Sequence, residues 1–167
     1  MYLNCHSYHS LRYGTISVED LVRDSARLGI SALALTDINT ITGIYEFYKL
    51  CKEFGIKPIV GVDVRLDNQQ YFIVLAKNNQ GITEICRMLT AHNCDGEILP
   101  RQNPDLPNCF IVYPLKNIPE VLEDNEFIGI RAEELNILIQ KKWQQFSNKM
   151  VVLQPVTFRT KREYNLH

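Results

Sequence analysis

The sequence predicts an α/β fold. Short apolar runs with strand character are separated by segments of helical periodicity, and several of the runs lack the strict in–out alternation of a half-exposed sheet. Runs of that kind suit parallel strands covered on both faces. Seven occur, at 2–5, 32–36, 58–64, 71–76, 109–113, 127–130 and 150–156. Seven strands interleaved with helices favour a parallel architecture, either a small distorted barrel or a doubly wound sheet. A full eight-unit barrel takes ~250 residues, so in 167 residues a barrel would be trimmed or incomplete.

The helices follow in order. Ser17 caps the first, with Asp20 three residues on, apolar Val18, Leu21, Val22 and Leu28 at helical spacing, and Gly29 as the left-handed stop. The second covers roughly 42–54, with Ile44, Phe47, Tyr48 and Cys51 on one face and Gly55 ending it. A third is expected over 80–89, presenting Ile82, Ile85 and Leu89, and a fourth over 132–146, with Leu135, Leu138 and Ile139 inward. The stretch 93–108 is rich in Pro, Asn and Asp and reads as an irregular surface excursion. The run 159–167 carries no helix stop and reads as cut mid-element, so a fragment of a longer protein is expected.

Composition narrows the function classes. Residues 1–167 suit one domain with a real core, and 46% hydrophobic with 22% charged residues is ordinary globular composition. With 18 Lys and Arg against 19 Asp and Glu, the net charge of −1 excludes a generally basic nucleic-acid coat or a polybasic membrane binder, though not a local patch. No apolar run approaches the ~18 residues a bilayer span needs, and the start lacks the cationic and apolar regions of a signal peptide. Cys5, Cys51, Cys86, Cys94 and Cys109 are odd in number and form no C-x-x-C clip, which suggests neither a disulfide framework nor a zinc knuckle. The cytoplasm is the expected compartment.

In parallel α/β folds functional groups gather at the carboxyl ends of strands. Those ends hold His6, Asp37 and Asp63, which together could form a metal or acid–base cluster. Each also has a plainer reading. Asp37, directly after a strand, fits a turn or helix cap; Asp63 fits a strand residue facing solvent or pairing with Arg65; His6 fits a hydrogen bond to a backbone carbonyl. His9 reads as surface and His92 as favouring the negative end of the third helix. Arg159, Lys161 and Arg162 read as a solvated face. No phosphate-cradling G-x-x-x-x-G-K loop and no nucleophile elbow is present.

The segment from Leu3 to Thr15, the run Ala32-Leu33-Ala34-Leu35-Thr36-Asp37, then Gly43, Glu46-Phe47-Tyr48, the run from Gly55 to Gly61, and Leu75-Ala76-Lys77-Asn78 with Gly81 resemble a PHP (polymerase and histidinol phosphatase) domain. The resemblance is specifically to the N-terminal PHP domain of bacterial DNA polymerase III alpha subunits, tightest over 1–89 and looser to 167. It implies a PHP-like, distorted, seven-stranded (β/α) barrel. It also implies a metal-ligand pattern from which this sequence departs. The family's H-x-H is Asn4-Cys5-His6 here, and Tyr13 stands at an acidic or histidine ligand. T-D-H becomes Thr36-Asp37-Ile38, a glutamate becomes Asp63, a histidine becomes Tyr71, and the late D-x-H becomes Pro155-Val156-Thr157. Ile38, Tyr71 and Pro155 are useless as ligands of a hydrolytic metal, and metal catalysis needs at least three protein ligands per ion.

The expectation is therefore a degenerate PHP domain without catalytic residues or cofactor of its own; any metal that did bind would rest on His6, Asp37 and Asp63. What the resemblance implies is a structural and interaction module in DNA replication, joined to the remainder of a polymerase subunit that uses Mg²⁺ and DNA, with a proofreading exonuclease and other replisome subunits as further partners. The rival expectation is a metal-dependent phosphoesterase, a 3′–5′ exonuclease or pyrophosphatase, on a reduced site. A third is a stand-alone PHP-derived regulator.

Overall fold

The computed structural model describes residues 1–102, 104–139, 143 and 145–166. The chain opens with a two-residue strand, β1 (Asn4–Cys5), and then a loop into helix α1 (Val18–Arg27). The Ser17 hydroxyl accepts from the Asp20 N–H, and Gly29 ends the helix at φ +69°. Strand β2 (Ala32–Leu35), helix α2 (Ile44–Glu53) and strand β3 (Lys57–Leu66) follow as a strand–helix–strand unit with β2 and β3 parallel. Within α2, Phe47 and Cys51 are buried, but Tyr48 is 57% exposed, contrary to the inward position its spacing predicts. A helix this short turns a narrow stripe to the core, and Tyr48 lies past its edge.

The parallel expectation fails at strand β4 (Gln69–Ala76). It runs antiparallel both to β3 and to β5 (Cys109–Pro114). The cause is the two-residue connection Asp67-Asn68, with φ +47° and +63°. Two consecutive left-handed residues make the tight turn whose twist matches a hairpin, and Asp and Asn tolerate that region better than other non-glycine residues. Helix α3 spans Asn79–Asp95, six residues beyond the predicted end, closed by Gly96 at φ +72°. Its Ile85 and Leu89 are buried as predicted.

Strand β6 (Glu126–Ile130) lies parallel to β5, and the last predicted strand is two pieces, β7 (Met150–Val152) and β8 (Pro155–Val156). Sheet order is β2-β3-β4-β5-β6-β7, a curled six-stranded sheet, with β1 and β8 forming a parallel two-stranded ribbon. Tyr2 bridges Leu33, so the ribbon sits against β2, and only Leu153 and Gln154 separate β7 from β8. The result is an irregular PHP-like barrel whose last stave is broken in two.

The predicted fourth helix is a 3-10 helix over Ala132–Ile139, with Leu135 exposed. Residues 140–142 and 144, and the side chains of Leu138 and Ile139, lie outside the described residues, as does His167. A short helix α4 (Lys161–Leu166) follows β8, and Arg159 ties this end to α1 through Asp20 and Asp24. Among the described residues no helix is long and apolar enough to cross a membrane.

The core falls into three clusters. α1 and α2 pack Val22, Leu33, Phe47 and Cys51 on one side. α3 packs Ile85 and Leu89 against Val62, Val64 and Phe72 on the other. Between them, Ala34, Ile73, Leu75, Val112 and Leu153 fill the barrel. Asp63 pairs with Ile73, and Ile73 with Val112. Directly opposed residues share a sheet face, so Asp63 points into the barrel with them.

Candidate functional site

The site draws on residues just after three strands and on residues inside β3 and β4. His6 follows β1, Thr157 follows β8, Asp37 follows β2 and Asp63 lies in β3. The structure brings three of them into one chain of hydrogen bonds. His6 Nδ1 is 3.0 Å from Thr157 Oγ1, and His6 Nε2 is 2.9 Å from Asp63 Oδ2. A carboxylate only accepts, so Nε2 carries the proton toward Asp63.

Three more N–H groups converge on the same Asp63 oxygen: Arg65 Nε at 3.0 Å, Arg65 Nη2 at 2.8 Å and Gln70 Nε2 at 2.9 Å. Asp63 and Arg65 are two residues apart on one strand and so share a face. Gln70 reaches that face because the β3–β4 register shifts after Val64: Phe72 pairs with Val64, and Gln70 with Arg65. Tyr71 is skipped. It packs instead among Val62, Val64 and Phe72 outside the barrel, under the Arg101 guanidinium at 5.6 Å. Arg131 extends the network by donating to Gln70 Oε1 at 3.2 Å. Tyr13 covers it, its ring edge-on to His6 at 5.1 Å and beneath the Arg65 guanidinium at 4.4 Å.

The electrostatics follow. Burial alone would push the Asp63 carboxyl up, but hydrogen bonds from His6 and Arg65 and the Arg65 charge more than offset it, holding the group below the ordinary Asp value. Burial works against the Arg65 charge, and the Asp63 contact overcomes it and raises that guanidinium further. Asp63 Oδ1 is buried with no hydrogen-bond partner.

Asp37 belongs to a separate arrangement. Its Oδ1 accepts from the Ser7 N–H at 2.6 Å and the Ser10 hydroxyl at 2.6 Å, and its Oδ2 from the Ser7 hydroxyl at 2.8 Å. The Ser10 hydroxyl in turn accepts from the Ile38 N–H at 3.0 Å. Asp37 thus moors the loop after β1. Ile38 bridges Asp63 through the backbone alone, and Pro155 and Asn4 are ladder partners. Asn4 is buried, its Oδ1 accepting from the Thr36 hydroxyl at 3.4 Å. Among the described residues no three His, Cys, Asp or Glu side chains group so as to hold a metal ion. The imidazole and carboxylate that do meet, His6 and Asp63, spend their contact on each other, and a guanidinium supplies the cation. The donor set as arranged does not fit a hydrolytic metal.

Ser7, Ser10, Gln70 and Arg131 escape a reading of the sequence. The two serines flank His9 at a spacing that would have suggested a carboxylate-bound turn. Gln70 carries no signal without the register shift. His9 is half-buried beside the Tyr8 ring, and His92, also half-buried, bonds the Glu97 carbonyl.

The chain belongs to the PHP domain family, which matches residues 3–144. The chain is similar to DNA polymerase III subunit alpha of Staphylococcus aureus, 28% identical over 173 residues covering 97% of this chain and 16% of the relative. The corresponding subunit of Bacillus subtilis is 37% identical over 94 residues, 53% of this chain and 8% of the relative. An error-prone DNA polymerase of Symbiobacterium thermophilum is 34% identical over 104 residues, 62% and 9%. The chain therefore spans a sixth or less of the length of these relatives. Among solved structures, an amidohydrolase from Chromobacterium violaceum aligns with a TM-score of 0.44 and 20% identity over 54% of this chain and 32% of that one, a likeness that bears on neither activity nor ligand.

Proposed function

We propose that this chain is a degenerate PHP domain serving as a structural and interaction module of a replicative DNA polymerase subunit in the cytoplasm. The remainder of such a subunit would supply Mg²⁺-dependent nucleotidyl transfer on DNA, and a proofreading exonuclease would be a further partner. One observation carries the reading: Asp63 Oδ2 is enclosed by four N–H donors, two of them from Arg65. A tethered guanidinium provides the positive charge that a metal ion provides in a hydrolytic site, but it presents no open coordination position and cannot activate a water. The roles of Asn4, Tyr13, Ile38, Tyr71, Pro155 and Thr157 in this reading are those of vestigial site positions filled by packing and hydrogen-bonding residues.

The second reading, a metal-dependent phosphoesterase on His6, Asp37 and Asp63, draws on the buried, unpartnered Asp63 Oδ1. Elemental analysis of the purified chain before and after soaking with Mn²⁺ and Zn²⁺, beside a phosphodiester hydrolysis assay, separates the two. The module reading expects well under one metal ion per chain and no turnover. Stoichiometric metal that disappears in His6→Ala, with turnover lost alongside, overturns it.

A further inference from the structure

The Arg65 guanidinium is held on its edge, on its face and through its backbone. On the edge, Nε and Nη2 both donate to Asp63 Oδ2, at 3.0 and 2.8 Å. On the face, the Tyr13 ring centroid lies 4.4 Å from Cζ, the stacking that favours a planar, delocalised cation. The backbone is fixed by Asn39. Its Nδ2 donates to the Arg65 carbonyl at 2.7 Å, and its Oδ1 accepts from the Arg65 N–H at 2.9 Å. Asn39 stands at φ +50°, a left-handed conformation that Asn adopts more readily than most residues. Its own N–H donates to the Asp63 carbonyl at 3.0 Å, so one residue grips β3 at both Asp63 and Arg65. The Arg65 side chain is only 11% exposed, and a cation so far from water has to find its compensation inside the protein.

We propose that the barrel mouth is a guanidinium site: Asp63 and Tyr13 recognise the planar cation, Arg65 supplies it from the same chain, and Asn39 is the positioning residue that delivers it. The inference rests on the degenerate-site reading and names the class of cation that the mouth selects. A divalent metal ion at Asp63 Oδ2 would have to displace N–H donors and sit beside a fixed positive charge. An ammonium ion keeps the charge, but it has neither a planar face for Tyr13 nor two N–H groups along one edge. The mouth is therefore filled as the chain folds, whatever the supply of metal.

Chemical rescue of Arg65→Ala in the intact chain, read as melting temperature, is the test. Arg65→Ala should melt below the parent, and millimolar methylguanidinium chloride should raise it in a saturable way, as a ligand of the folded state does. Ammonium chloride at the same ionic strength, Mn²⁺ and Zn²⁺ should not, and adding Tyr13→Leu should remove the rescue. Rescue by a metal ion, equal rescue by ammonium, or no rescue overturns the inference. If Arg65→Ala does not fold, hydrogen exchange at Arg65 Nε in the parent, followed by NMR, decides instead. That proton should be protected from solvent. Asn39→Gly keeps the backbone freedom but removes the amide, and should accelerate its exchange about 10-fold or more, on the scale of two lost hydrogen bonds, while α1 amides stay protected. An unprotected Nε proton, or one indifferent to Asn39→Gly, overturns the inference. Metal uptake by the parent, which retains Arg65, would sink the degenerate-site reading; a metal-free parent whose Arg65→Ala variant is not rescued sinks this inference alone.

Discussion

His6 Nε2 lies 2.9 Å from Asp63 Oδ2 with neither side chain exposed, and the Arg65 guanidinium closes on the same oxygen at 2.8 Å. A buried carboxylate is thereby compensated from both sides by groups of its own chain, and the barrel mouth is stitched from β1 to β3 to β4. Thr157 carries the stitch on to the end of β8.

Removing the guanidinium should expose what it contributes. Arg65→Met leaves buried Asp63 with only the His6 and Gln70 donors, and loss of one member of a buried charge pair costs about 3–5 kcal/mol. Urea denaturation should show a loss of that order, and Asp63→Asn in the Arg65→Met background should recover part of it. If Arg65→Met unfolds at the same urea concentration as the parent chain, the compensation described here is wrong.

The same pair sets an acid limit. Asp63 has a folded-state value below the ordinary one, so its contribution is fully present above the unfolded Asp value of about 3.9. It is lost as pH falls from there through the lower folded value. Melting temperature followed from pH 6 down to pH 2 should fall less steeply below pH 4 in Asp63→Asn than in the parent. Parallel curves would contradict this.

Asp37 moors the loop after β1. Asp37→Ala strands the Ser7 N–H and two buried hydroxyls, and unsatisfied buried groups cost about 1–3 kcal/mol each. A total loss of about 3 kcal/mol or more is expected, with amide exchange accelerated through Ser7 to Tyr13 while α3 amides stay protected. A uniform effect on all amides would point to global unfolding instead.

Gly61 lies in β3 opposite Leu75 of β4. An added Cβ would meet the Val74 carbonyl oxygen at 2.5 Å and Thr36 Cγ2 at 2.8 Å. The first is backbone and has nowhere to move, so Gly61→Ala should cost about 2–3 kcal/mol, at the upper end of overpacking. Gly29→Ala has open space and only its φ of +69° against it, so about 1 kcal/mol is expected there. Thermal unfolding of the two variants side by side checks the order.

The thiols should divide by burial. Cys5 and Cys109 are pushed up to about 12, each chiefly by burial with help from Asp37 and Glu84 respectively, and burial takes Cys51 to about 11. Cys94 is exposed. A chromogenic disulfide reagent at pH 8 should modify Cys94 within seconds to minutes and leave Cys5, Cys51 and Cys109 unmodified until denaturant is added. Early labelling of Cys5, identified by mass spectrometry, would mean the α1–β1 packing opens readily.

Much of this architecture was legible in the chain. Ser17, Asp20 and Gly29 delimit α1 through hydrogen bonds and backbone freedom that act within a few residues, and the apolar runs fall on the strands for the same local reason. Asp67-Asn68 also carried a hairpin signal, masked because the apolar runs on either side resemble buried parallel strands. The fate of Tyr71 and Gln70 was not legible. One slipped residue in the β3–β4 pairing exchanges which of them faces the barrel, and nothing in their own identities chooses between the two registers.

By itself, then, the sequence determined the α/β class, most element positions, the family, and that His6 directly follows a strand. Only the tertiary structure decided that His6 and Asp63 bond each other, that Asp37 is drawn away by Ser7 and Ser10, and that Arg65 occupies the centre. Local signals act through neighbours in the chain, whereas the site is assembled from β1, β3, β4 and β8, up to 151 residues apart. Its geometry therefore depends on strand register and barrel closure, quantities that exist only once the whole chain is packed.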